Sequence, residues 1–251
     1  VVSAYAGAPG NTVISISPES GGHFAMQSII RRFGYVAKTI SVKNGKADPI
    51  ELRQVLNQNK VALLYVDLQN SLFPIDTYSF SALVKEYSPS TILHIDASHM
   101  MGLILGHAHD NPLNCGADSF GGSTHKTFPG PHKGVVFTNR SELAEAIDSS
   151  LMDLVSSHHF AETIALGISA IEFEHFGEAY ASAVIANAQT LASELLNNGF
   201  NVYGEPPCYT WTHQVWFNCG NLEETSEISQ RLFEAGIQAN VQKDLPGLPG
   251  H

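Results

Sequence analysis

The chain has 251 residues, 43% of them hydrophobic, enough for one large core with room for part of a second unit. Lys and Arg number 13 against 24 Asp and Glu, and a net charge of −11 argues against a surface built for nucleic acid or anionic membrane. Small-molecule chemistry is the class that remains.

In chain order, Asn11 to Ile16 reads as a strand and Gly22 to Phe33 as a helix, with Phe24, Met26, Ile29, Ile30 and Phe33 at helical spacing. Val36 to Val42 is a strand, Pro49 to Asn57 a helix with Asp48 as N-cap, and Val61 to Val66 an apolar strand. Tyr78 to Tyr87 is a helix, and Thr91 to Ile95 a strand ending at Asp96. Two short strands follow, Ala117 to Phe120 and Gly134 to Thr138, on either side of a loop containing Lys126. Such alternation predicts an α/β fold, a mostly parallel sheet with helices on both faces, whose ligands bind outside the carboxyl ends of the strands. From Arg140 the pattern changes to long helices, Ser141 to Leu151 and Ala161 to Asn198, with a break expected at Gly177. A strand, Gln214 to Cys219, and a helix, Glu223 to Ala235, begin a smaller α+β unit. The expected division is 1–165 for the large domain and 166–251 for connecting helices and a partial C-terminal small domain.

Cys115, Cys208 and Cys219 show no CxxC pairing, so neither a disulfide framework nor a zinc ribbon is indicated, and a reducing cytoplasm is the expected location. No run has the length of a membrane span, and Val1 to Gly7 lacks the features of a signal peptide. The chain opens on Val1 and closes in a loop, Leu245 to His251, and this reads as a fragment of a longer protein.

The chemistry-bearing residues gather at two strand ends. Lys126 stands in Gly121-Gly122-Ser123-Thr124-His125-Lys126-Thr127-Phe128-Pro129-Gly130-Pro131, among small and hydroxyl residues that leave room for a bulky ligand. Upstream lies Asp96-Ala97-Ser98-His99. A lysine there can form a Schiff base, and a carboxylate at an earlier strand end can hold a protonated ring nitrogen, as pyridoxal phosphate requires. Taken singly, the lysine reads as solvated, the aspartate as a helix N-cap, and His99 and His125 as structural residues. Their joint placement at strand ends of one alternating pattern is what makes the catalytic reading specific.

Asp-x-x-His followed by Thr-His-Lys-Thr-x-x-Gly-Pro resembles serine hydroxymethyltransferase and its relatives, pyridoxal-phosphate enzymes of fold type I. Ser20-Gly21-Gly22-His23 stands where that family carries Gly-Gly-His. The resemblance spans nearly the whole chain. It implies a seven-stranded type of sheet, Lys126 as the Schiff-base lysine, Asp96 as partner of the pyridine nitrogen, and His23 stacked on the ring. It places His99 and His125 near the phenolic oxygen and the substrate carboxylate, Ser71 near the same oxygen, and Ser123 among the cofactor contacts. A homodimer with shared active sites is implied as well. Family chemistry makes or breaks the Cα–Cβ bond of a β-hydroxy amino acid, with small amino acid and aldehyde substrates.

Two departures from the folate enzymes narrow the branch. Pro18 and Glu19 stand where those enzymes line the pteridine site with an apolar residue, and Ser156-Ser157-His158-His159 replaces a Gly-rich phosphate loop. Hydroxyls and imidazoles still bind phosphate, so Ser157, His158 and His159 remain cofactor candidates. Thr124-His125-Lys126-Thr127-Phe128-Pro129-Gly130-Pro131 and the Ser156–His159 loop are similar to the threonine transaldolase branch, including fluorothreonine transaldolase, which moves a glycyl unit between aldehydes without folate. The alternatives within the family are a folate-dependent hydroxymethyltransferase and a threonine aldolase. The family's Ser-x-Ser phosphate loop, its substrate-side Tyr and Glu, and its carboxylate-clamping Arg are absent from these 251 residues; Arg140 and Arg231 sit in surface positions. Cofactor binding without turnover is the expectation for this stretch alone.

Two readings from other classes compete. His94, Asp96, His99, His107 and His109 are dense in ligand types, and on a strand His94 and Asp96 share a face, which suggests a metal-dependent hydrolase. That order matches no known metal motif and leaves Lys126 unexplained, so no metal is expected. A non-catalytic homologue would keep the fold alone, yet has little reason to retain Lys126 and Asp96. His107, His109, His175 and His213 read as structural or solvated.

Overall fold

The computed structural model describes residues 1–242 and 245–248. A short helix α1 (Val2–Tyr5) precedes β1 (Thr12–Ile16), and a 3-10 turn at Pro18–Ser20 leads to α2 (Met26–Arg32). Then come β2 (Val36–Ile40), the small hairpin β3 (Val42–Lys43) and β4 (Lys46–Ala47), α3 (Pro49–Gln58), β5 (Val61–Asp67), α4 (Thr77–Tyr87) and β6 (Ile92–Asp96). After α5 (Met101–Leu105), β7 (Ser119–Ser123) and β8 (Gly134–Thr138) flank the lysine loop. The rest is α6 (Ser141–Leu154), α7 (Phe160–Asn197), β9 (Asn201–Val202), β10 (Phe217–Asn218) and α8 (Leu222–Glu234).

The main sheet runs β2-β1-β5-β6-β7-β8, parallel throughout except for the antiparallel β7–β8 pair. Six strands are present among the described residues where a seven-stranded type was expected. Alternate strand residues feed two cores: Ile14, Ile16 and Leu64 face one that includes Leu52, Phe80 and Leu103, while Val13 and Leu63 face another with Val2, Ile30 and Leu143. Both faces are therefore covered by helices, as continuous apolar strands demand. The order reverses beside β1, since β2 lies on one side of it and β5 on the other. That reversal opens a crevice at the carboxyl ends, where ligands of such sheets bind.

Local chemistry explains most boundaries. Asp48 caps α3 by accepting from Ile50 N and Glu51 N, with Pro49 in the first turn. The expected helix from Gly22 begins only at Met26, because Gly21 adopts φ 96° and the Gly21–Gly22 turn is wedged against the carbonyls of Asn70 and Ile16. Gly177 does not break α7, which runs unbroken through the proposed 165/166 boundary. At Gly106 an added Cβ would meet the Gly177 carbonyl and Ala181, so this glycine pair permits close approach of two helices. The expected strand from Gln214 shrinks to Phe217–Asn218, since Thr210 to Gln214 bonds elsewhere. Of the closing stretch, Pro249 to His251 lie outside the described residues. No helix among the described residues is long and apolar enough to cross a membrane.

Candidate active site

Asp96 ends β6 with its carboxylate already oriented. Oδ2 accepts from the Tyr65 hydroxyl at 2.5 Å and Oδ1 from Ser98 N at 2.8 Å. Charge-assisted bonds of this kind contribute roughly 1.5–3 kcal/mol each and leave further lone pairs on both oxygens. Tyr65 lies half-buried beneath; desolvation and the Asp96 charge push its pKa well up, so it acts as a donor.

The lysine loop is fastened to the Asp96 loop at two points. Ser123 N donates to Ser98 Oγ at 3.0 Å, and Thr127 Oγ1 donates to the His99 carbonyl at 2.9 Å. Gly122, at φ 143°, has no room for a Cβ against Ser98. Thr124 closes the loop from inside, its Oγ1 donating to the Pro131 and Lys133 carbonyls at 2.6 and 3.0 Å. Lys126 rises from this frame, exposed, with Nζ donating to Ser123 Oγ at 2.9 Å. His125 is also exposed and stacks on His132 with ring centroids 3.9 Å apart, so in this chain it faces its own loop rather than Asp96.

His99 stacks on His213, centroids 5.7 Å apart, and the buried Nδ1 of each ring lacks a partner. Burial, with the Lys126 charge adding to it, pushes each pKa down to about 4. Both are neutral imidazoles at ordinary pH. His213, read from sequence as structural, thus belongs to the site. A strap carries it there: Thr212 Oγ1 donates to the Ser71 carbonyl at 2.9 Å, Gln214 Nε2 to the Gln69 carbonyl at 2.7 Å, and Trp211 N to the Leu72 carbonyl at 2.7 Å.

The loop after β5 reassigns one sequence candidate. Ser71 Oγ donates to the Phe73 carbonyl at 2.7 Å and accepts from Phe73 N at 3.1 Å, so its hydroxyl closes a turn and is not free for a cofactor oxygen. Two residues earlier, the buried Oε1 of Gln69 has no partner. His23 follows the glycine turn, exposed, its ring stacked on Phe24 at 4.7 Å. Ser157, His158 and His159 lie in the exposed α6–α7 connection, and Arg140 is spent on Asp118 and Glu142 at 2.6 and 2.7 Å.

Of the residues in the metal-centre alternative, His94 Nδ1 is paired with Ser119 Oγ at 2.8 Å, and burial pushes its pKa down to about 3. Among the described residues no three His, Cys, Asp or Glu side chains group to hold an ion.

Tyr65, Asp67, Gln69 and His213 escaped the sequence reading. A polar residue at every second position, Tyr65 and Asp67, closing an otherwise apolar strand was the available signal. His213 gave none, because hydrogen bonds distant in sequence bring it in.

A lysine and a carboxylate on loops at adjacent parallel strand ends, with neutral imidazoles beside them, are the groups that a fold type I pyridoxal-phosphate site uses. The chain belongs to the serine hydroxymethyltransferase family, whose sequence profile matches residues 8–240. It is 49% identical over 245 residues to an L-threonine:uridine-5'-aldehyde transaldolase from Amycolatopsis sp, covering 97% of this chain and 60% of that protein. A fluorothreonine transaldolase from Streptantibioticus cattleyicolor is 36% identical, over 92% of this chain and 36% of its own length. The crystal structure of an L-threonine transaldolase from Pseudomonas fluorescens superposes with a TM-score of 0.88 at 31% identity, covering 98% of this chain and 56% of that one. The chain therefore spans between 36% and 60% of the length of these larger relatives.

The site fits the cofactor on its own evidence. Orphaned buried atoms on Gln69, His99 and His213 and the free lone pairs of Asp96 await a polar ligand beside Lys126.

Proposed function

We propose that this protein is a threonine transaldolase, cleaving L-threonine to acetaldehyde and passing the glycyl unit to a second aldehyde. The observation that carries the reading is the double fastening of the Lys126 loop to the Asp96 loop, in a chain 49% identical to a transaldolase named for L-threonine and uridine-5'-aldehyde. That name, on the strongest identity among the relatives described, supports a nucleoside 5'-aldehyde as acceptor.

When bound, pyridoxal phosphate supplies the sink for the electron pair released as the Cα–Cβ bond breaks. Lys126 would hold it through Nζ, which Ser123 Oγ orients. Asp96 would hold a proton on the ring nitrogen, its rotamer fixed by Tyr65 and Ser98. His23 would cover the ring and exclude water from one face. His99 and His213, both neutral, can donate or accept hydrogen bonds at substrate oxygens without adding charge. Gln69 Oε1, buried and without a partner, would accept from a donor on the bound cofactor or substrate.

A homodimer is part of the proposal. Phe160, Ile164, Ile168 and Ile171 are exposed along one stripe of α7, from 78% at Phe160 to 55% at Ile168. A second copy of the chain suits such a stripe, and would bring Ser157, His158 and His159 of one protomer toward the phosphate bound by its partner. Residues 1–165 then act as the cofactor-binding domain and 166–251 as connecting helices and part of the small domain. Three free cysteines suit the cytoplasm.

The test is acetaldehyde release from L-threonine by the full-length, cofactor-loaded enzyme, with and without uridine-5'-aldehyde, beside L-serine with tetrahydrofolate. Release stimulated by the acceptor, with no folate-dependent turnover, is expected. Folate-dependent serine cleavage would make the protein a hydroxymethyltransferase instead.

A further inference from the structure

Asp67 is the last residue of β5, at the carboxyl end of the β1–β5 pair where the strand order reverses. It is 4% exposed, and no step of the proposed reaction uses it. Its Oδ1 accepts from Ile16 N at 3.3 Å and its Oδ2 from His23 N at 2.9 Å. One carboxyl group thus ties the end of β1 to the first residue after the glycine turn. The turn itself has nowhere else to go: Gly21 O accepts from Gln69 N and Asn70 N at 2.8 and 3.1 Å, and a Cβ at Gly22 would strike the Ile16 carbonyl. The His23 ring has no comparable anchor, since beyond its contact with Phe24 it only accepts from Ala25 N at 3.2 Å. Where the ring sits follows from where its backbone is held.

We infer that Asp67 is the positioning residue for His23, fixing the backbone from which the ring-covering imidazole projects over the cofactor. Asp67 also lies in register with Asp96 on the neighbouring strand. Burial pushes its pKa up to about 8, with the Asp96 charge adding to the rise against the two backbone donors. The inference rests on the family-derived role of His23.

The test is a double-mutant cycle on the full-length, cofactor-loaded enzyme with His23→Ala, Asp67→Ala and the pair. The readouts are the visible circular dichroism of the bound cofactor, its rate of loss on dialysis, and kcat against KM for L-threonine. Asp67→Ala is expected to weaken the dichroism and speed cofactor loss by about as much as His23→Ala, on the order of tenfold, and to add nothing in the double variant. Asp67→Asn, which keeps one acceptor oxygen, is expected to recover part of the signal, and it carries the same cycle if Asp67→Ala does not fold. Faster amide exchange at His23 in either Asp67 variant gives a readout independent of turnover. Multiplying effects in the double variant, or an unchanged dichroism and His23 amide in the Asp67 variants, would overturn the inference. Failure of the wild-type protein to take up pyridoxal phosphate would overturn the functional reading and this inference with it.

Discussion

The carboxyl ends of β5, β6 and β7 and the first half of α7 are built on opposite terms. At the strand ends, Asp67, Asp96, Ser98, Ser123 and Thr127 all have partners within the chain, most of them backbone groups of a neighbouring loop. Along α7, Phe160, Ile164, Ile168 and Ile171 offer apolar surface that is 55% to 78% exposed among the described residues. The first region is finished by its own sequence, and the second is the face on which the proposed second copy would pack. Lys126 stands between these cases, framed by bonded loops yet exposed.

The largest effect that would sharpen this contrast comes from Asp96→Asn. It keeps the shape and removes the charge, and should lower kcat by about 10²–10³-fold while the cofactor still binds, as absorbance and single-turnover rates would report. A loss of cofactor uptake instead would mean that Asp96 serves the fold more than the chemistry. On the other side, Ile168→Asp should weaken dimerisation by about 2 kcal/mol or more, read by analytical ultracentrifugation, while leaving the strand-end loops intact. An unchanged sedimentation profile would remove α7 from the interface.

Leu64→Ala, in the sheet beneath the site, should cost about 2–5 kcal/mol in chemical denaturation, because the residue is fully buried. The pH dependence is set by the buried histidines. His94, His99 and His213 have folded pKa values pushed below the ordinary 6.5, to about 3, 4 and 4, by burial first. The unfolded chain therefore binds more protons, and stability should be full above pH 6.5 and fall progressively toward pH 4, by up to about 1.4 kcal/mol per unit per group. Asp67 acts oppositely, since its raised pKa makes stability decline as pH rises from about 4 to about 8. Asp67→Asn should flatten that decline in melting temperature against pH, and an unchanged slope would contradict its burial. The smallest effect is Asn221→Ala: the capping box with Glu224 at the start of α8 should account for about 1 kcal/mol.

Much of the fold was legible because strand and helix periods alternate clearly up to Thr138, and because Asp48 and Pro49 mark a helix start unambiguously. Lys126 and Asp96 were legible because small and hydroxyl residues surround them in sequence. What stayed hidden depends on distant pairing. Tyr65 and Asp67 look like interruptions in an apolar strand until Asp96 and His23 are brought beside them. His213 reaches the site only through bonds from its strap to the loop after β5. The Ser71 hydroxyl is captured by a local turn with Phe73, an event that adjacency in sequence does not reveal.

The central claim, that Lys126 carries the cofactor, is tested most directly by borohydride reduction of the full-length protein loaded with pyridoxal phosphate, followed by peptide mass mapping. The account predicts one pyridoxyl adduct per chain, on Lys126. An adduct on Lys133 or another lysine, with Lys126 unmodified, would contradict it.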